Sequence, residues 1–174
     1  MTDKRPLAFA CLVLAGLAIG SVSGVAQHQP VPAAPHACLE EERQAIEKGE
    51  GFGMALAADR HGYPGPKHIL ELKNELALTP EQEKQVRALF DQMRGRALMT
   101  GQRLLDKEAE LEQLFVSSAA EVAEVRPRLD EIAALRAELR WVHLSTHLEA
   151  RQLLTPEQRA RYHQLRYATA EHAR

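Results

Sequence analysis

Cysteine is almost absent from this chain. Only Cys11 and Cys38 occur in 174 residues, and Cys11 lies inside an N-terminal apolar run. Past that run one cysteine remains, so no internal disulfide can staple the fold. Cys38 is either a free or intermolecularly bridged thiol, or a passenger in a loose tail. An excess of charge is also missing. The chain carries 22 Lys and Arg against 24 Asp and Glu, a net charge of −2. That balance offers no basic footprint for nucleic acid. No segment alternates apolar and polar residues with period two, so strands are not expected. Catalytic signatures are missing as well: no Gly-x-Ser-x-Gly elbow, no glycine-rich phosphate loop and no Cys-x-x-Cys pair. The segment His143-Leu144-Ser145-Thr146-His147 looks like half of a zinc-protease helix, but the glutamate that would act as general base is not there. A non-enzymatic protein is expected.

What is present begins with an export signal. Lys4 and Arg5 precede the uncharged run Leu7–Ile19, and small residues follow up to Ala26. This pattern predicts a signal peptide over residues 1–26, cleaved after Ala26, with an uncleaved N-terminal membrane anchor as the alternative. Without residues 1–26 the charge is −3, from 20 basic and 23 acidic residues.

Residues 27–53 read as a flexible tether. Three prolines fall in residues 27–37, and Gly49, Gly51 and Gly53 interrupt the chain. A short polar helix over 39–48 has two apolar anchors, Leu39 and Ile46, too few to hold it firmly. Ordered structure is expected from about Met54, giving one helical domain over 54–174. Its pattern predicts a short helix over 66–76, long helices over 80–116 and 119–152, and a short helix over 156–169. The fold class is all-α: an antiparallel hairpin of two long helices flanked by two short ones.

The pentapeptide Leu-Thr-Pro-Glu-Gln occurs twice, at 78–82 and 154–158. Each copy has the chemistry of a helix start. Thr79 and Thr155 are N-caps, Pro80 and Pro156 suit the first turn, and Gln82 and Gln158 close a capping box. Ser118-Ala119-Ala120-Glu121 suggests a third box between the long helices, and Pro127 should kink the helix after it or split off its first turns. The seam of the hairpin is read as Val86, Phe90, Met93, Ala97, Leu104, Leu111 and Phe115 against Leu129, Ile132, Leu135, Leu139 and Val142. The second long helix carries another apolar stripe, Ala137, Trp141, Leu144 and Leu148, nearly opposite Leu139 at ~100° per residue. A helix apolar on two sides needs two partners, so Trp141, Leu144 and Leu148 are assigned to a homodimer interface.

His143 and His147 share one helical face and have the spacing of a metal-chelating pair. Two nitrogens make a weak site. A hairpin turning near 117–118 puts Asp91 and Met93 opposite His143, at residue sums near 235, and His68 is a further candidate ligand. The competing reading is that both imidazoles snorkel to water from the shoulder of the seam. The arginines of the long helices are also open to two readings. They are either a solvated face of i,i+4 pairs, or a surface that makes weak contacts with unfolded chains.

The doubled Leu-Thr-x-x-Gln corner resembles the Spy/CpxP-type periplasmic chaperones and zinc-resistance-associated proteins. The segment WVHLSTHLEARQLLTPEQRARY is similar to heavy-metal-resistance relatives, including CnrX-like nickel/cobalt sensors. The resemblance spans roughly residues 54–167 and implies a hairpin that dimerises into a curved cradle. It implies an ATP-independent chaperone-like protein of envelope stress and heavy-metal resistance, located in the periplasm. Misfolded envelope proteins would be its partners, and a divalent metal (Zn, Cu or Ni) its cofactor. The same resemblance leaves a membrane-anchored metal sensor acting on a signalling protein as the alternative. His143 matches the sensor histidine, and His147 stands where the nickel/cobalt sensors have methionine. Asp91 falls near their carboxylate. Their first-helix His-x3-His pair is missing, because His68 is followed by Glu71 and Leu72.

Overall fold

The computed structural model describes the backbone of residues 35–171 and the side chains of residues 39–167. The signal segment, its cleavage site, the anchor alternative and the Cys38 side chain lie outside the described residues. Among the described residues the apolar spacing of the sequence is realised as six helices: α1 (Pro35–Glu47), α2 (Leu56–Arg60), α3 (Pro66–Glu71), α4 (Pro80–Val116), α5 (Val122–Leu153) and α6 (Pro156–Glu171). Among the described residues there is no strand, and no helix is long and apolar enough to cross a membrane.

The fold is an antiparallel α4–α5 hairpin, with α2, α3 and α6 at its open end and α1 lying along the middle of α4. Thr100 facing Glu138 and Lys107 facing Glu131 both give residue sums of 238. The register therefore sits about three residues from that expected from the turn. Two apolar clusters fill the molecule. One joins Ile46, Met93, Ala97, Leu104, Ile132, Leu135, Leu139 and Val142. The other, at the corners, joins Ile69, Leu76, Val86, Ala150, Leu154 and Tyr162. Phe115 and Leu129 are exposed instead of buried. Both lie near the turn of the hairpin, and a two-helix seam is too narrow to bury every apolar residue there.

The two LTPEQ corners meet. At each, the threonine Oγ accepts from the glutamine amide, and the glutamine Oε1 accepts from the threonine amide (3.1 and 3.0 Å at the first corner, 3.2 and 3.0 Å at the second). The two carboxamides also clasp each other. Gln82 Nε2 donates to Gln158 Oε1 at 2.9 Å, and Gln158 Nε2 donates to Gln82 Oε1 at 3.0 Å. Each reaches further, to a carbonyl just before the opposite motif: Gln82 to Leu153 O at 2.8 Å and Gln158 to Leu76 O at 3.2 Å. The repeat thus builds one polar joint from two helix starts.

Three local expectations are corrected. Residues 27–53 are not a tether throughout, and order does not begin at Met54. α1 is a helix docked on α4, with Ile46 3% exposed. Of the two expected anchors Leu39 is 62% exposed and only Ile46 holds the helix, because Gly101 makes room: a Cβ there would lie 2.7 Å from Ile46 Cγ2. Arg136 also ties Glu42 of α1 to Glu108 of α4 at 2.7 and 2.6 Å. Next, no capping box opens α5 at Ser118. Ser118 takes φ +57° and closes α4, with Ser118 N donating to Phe115 O and Ala119 N to Leu114 O. That is a Schellman-type ending, and α5 starts only at Val122, unbroken at Pro127. Finally, α3 ends at Glu71, and turns over 72–77 carry Leu76 into the corner cluster.

Candidate functional site

The chain between α1 and α3 folds over the last third of α5. Gly49, in left-handed backbone at φ +69°, ends α1: its amide donates to Ile46 O and that of Glu50 to Ala45 O. Gly51 then lies on the ring of His143, where a Cβ would stand 3.1 Å from Nδ1 and 3.3 Å from Cγ. Gly65 lies as closely on His147, where a Cβ would stand 2.8 Å from Nε2. A Cβ at Gly65 would push His147 aside, and one at Gly51 would crowd the His143 ring.

His143 is 4% exposed, and its Nε2 is sealed with no hydrogen-bond partner. Burial, aided by the nearby His147, pushes its pKa down to about 4. It is neutral at pH 7. His147 is half-buried. Its Nδ1 lies 2.6 Å from the Tyr63 carbonyl and donates to it. That bond puts the proton on Nδ1 and leaves the lone pair on Nε2. Burial lowers the His147 pKa, against the Tyr63 carbonyl and the Asp59 carboxylate, which favour its protonated form.

The other two candidate ligands do not join the pair. Asp91 is exposed on α4 and does not line the cavity. The cavity-facing positions of α4 are Phe90, Met93 and Arg94, and Asp91 is turned ~100° from Phe90. His68 does line the cavity but faces a buried carboxylate, its Nδ1 3.8 Å from Asp59 Oδ2. Among the described residues, no three His, Cys, Asp or Glu side chains come together as a metal-holding group. The residues present therefore fit a metal only in part. They offer two imidazoles, beside the thioethers of Met54 and Met93 in the same cavity.

Little in the sequence singles out Asp59. It is 4% exposed, and Oδ1 accepts from the Tyr162 hydroxyl at 2.6 Å. Oδ2 accepts from the Tyr167 hydroxyl and from Arg166 at 3.5 Å. Burial opposes its charge, but His68, Tyr162 and Tyr167 outweigh it and hold the carboxyl well below the usual range. This knot pins α2 to α6 and fixes one wall of the cavity. The only hint in the sequence is an acid placed directly after the apolar run Met54–Ala58. Gly51 and Gly65 were visible only as chain breakers, not as floors under the histidines.

The walls enclose about 600 Å³. Residues 65–166 match the description LTXXQ motif family protein. The chain belongs to the LTXXQ motif family. No curated protein and no solved structure matches it. The match runs from Gly65, under His147, through both corners to Arg166 of the Asp59 knot. LTXXQ proteins are Spy/CpxP-like periplasmic proteins, generally non-enzymatic and chaperone-like.

Proposed function

We propose that this LTXXQ protein is a periplasmic protein of envelope stress and heavy-metal resistance that holds unfolded polypeptides without ATP. The observation that carries this reading is the uncovered apolar surface at the closed end of the hairpin. Phe115, Val116 and Val122 are 60, 69 and 87% exposed, and Leu129 is also exposed. The charged pairs Arg126–Asp130 and Arg128–Glu124 lie beside Val122 and Leu129 in the sequence. An apolar patch with a charged rim marks an interaction surface. Weak contacts of this kind suit unfolded chains better than one shaped partner. Light scattering of an unfolding client tests the reading. Suppressed aggregation at equimolar protein without nucleotide supports it, and undiminished aggregation overturns it.

A second reading, metal binding at His143 and His147, is favoured by the Tyr63 hydrogen bond, which orients His147 as a ligand. The pair would hold zinc, copper or nickel, with Met54 and Met93 favouring the softer ions. Titration with each metal, read by calorimetry, should show 1:1 binding lost in His143→Ala and His147→Ala. Equally poor binding by all three proteins would remove this reading. The sensor alternative turns on residues 1–26, outside the described residues, and nothing in the described ones favours it.

A further inference from the structure

The cavity is far larger than a metal ion. At about 600 Å³ it falls within the roughly 300–1,000 Å³ of small-molecule sites. Its lining divides into two chemistries. Phe52, Met54, Leu56, Phe90 and Met93 supply apolar wall. Lys48, Lys67, Arg94 and Arg166 supply four positive charges against two acids, Glu50 and Asp59. Both acids are engaged: Asp59 by its two tyrosines and Arg166, and Glu50 by Lys67 at 3.9 Å. Lys48 and Arg94 have no ion-pair partner among the described residues. They also belong to one rim: a Cβ on Gly49, next to Lys48, would lie 3.3 Å from Arg94 Cγ. Phe52 is held at φ +36°, a strained backbone for an aromatic residue, yet the residue lines the cavity and is 46% exposed. Strain kept at a cavity mouth points to use of that residue.

We propose that this cavity binds a single-chain amphiphilic anion, of the class of medium-chain fatty carboxylates. The carboxylate pairs with Lys48 and Arg94, and the chain lies along Met54, Phe90 and Met93. Two cations sharing a rim without a counter-charge favour an anion there, and the apolar wall favours a hydrocarbon chain.

The test is calorimetric titration of the protein with decanoate below its micelle concentration. One saturable site is expected. Lys48→Glu with Arg94→Glu should weaken it about tenfold or more, as charge-assisted contacts are lost. The charge-matched control Lys84→Glu with Arg96→Glu should leave affinity within about twofold. Decyltrimethylammonium, with the same chain and opposite charge, should not compete. Methyl NMR places the site: Met54 and Met93 signals should shift with decanoate, and exposed Met99 should not. The proposal falls if decanoate does not saturate, if Lys48→Glu/Arg94→Glu binds as well as wild type, if decyltrimethylammonium competes equally, or if only Met99 responds.

Discussion

At the scale of single residues, the cost of this site is concentrated in His143. Its imidazole is buried, neutral and unpartnered at Nε2. In the unfolded chain it titrates at its ordinary pKa, and in the fold at about 4. The folded state therefore binds fewer protons between those values, and stability is full above the unfolded pKa and lost as pH falls. Asp59 acts in the same direction at lower pH: its carboxyl is held below its usual range, so its contribution is lost as that group protonates. Denaturant unfolding should show a loss of about 1–2 kcal/mol from His143 between pH 7 and pH 5. His143→Gln should flatten the slope in that window. A wild-type slope unchanged by the substitution would show that the imidazole is not buried as described.

At the scale of elements, the glutamine clasp explains why the corner motif is doubled. Each glutamine serves its own helix start, the other glutamine and a carbonyl before the other motif. Gln82→Ala or Gln158→Ala should each cost about 1–3 kcal/mol, because partners are left unsatisfied. The double variant should cost about 1 kcal/mol less than the sum, since the bonds between the glutamines are lost only once. Additive losses in a denaturant double-mutant cycle would dissolve the clasp. The corners were legible because Thr-Pro-x-Gln is local chemistry, complete within four residues. Their meeting was not, since the bonds between Gln82 and Gln158 span 76 positions. The same contrast separates the histidines, which share a face by spacing alone, from their glycine floors and the Asp59 knot, which depend on how 49–66 folds back. The docking of α1 was missed because it depends on Gly101, a residue that contributes space and no side chain. Asp91 falls off the cavity because the inward face of α4 runs through Phe90 and Met93, and Asp91 is turned ~100° from Phe90.

At the scale of the molecule, the hairpin buries one face of α5 and leaves another uncovered. Trp141 is 55% exposed, Leu148 is exposed and Leu144 is half-buried. A second copy is the proposed cover for this stripe. Trp141→Glu should then give a monomer by sedimentation while helical content is kept; an unchanged dimer would place the interface elsewhere. The closed end of the hairpin is the surface proposed for clients.

The most direct measurement of the central claim is client aggregation followed by light scattering, with wild type beside Phe115→Ser/Val116→Ser/Val122→Ser. These three side chains are exposed, so the variant should keep its fold by circular dichroism. Wild type should suppress aggregation at equimolar protein without nucleotide, and the triple variant should lose most of that effect. Suppression retained in full by the folded triple variant, or none by wild type, would contradict the account.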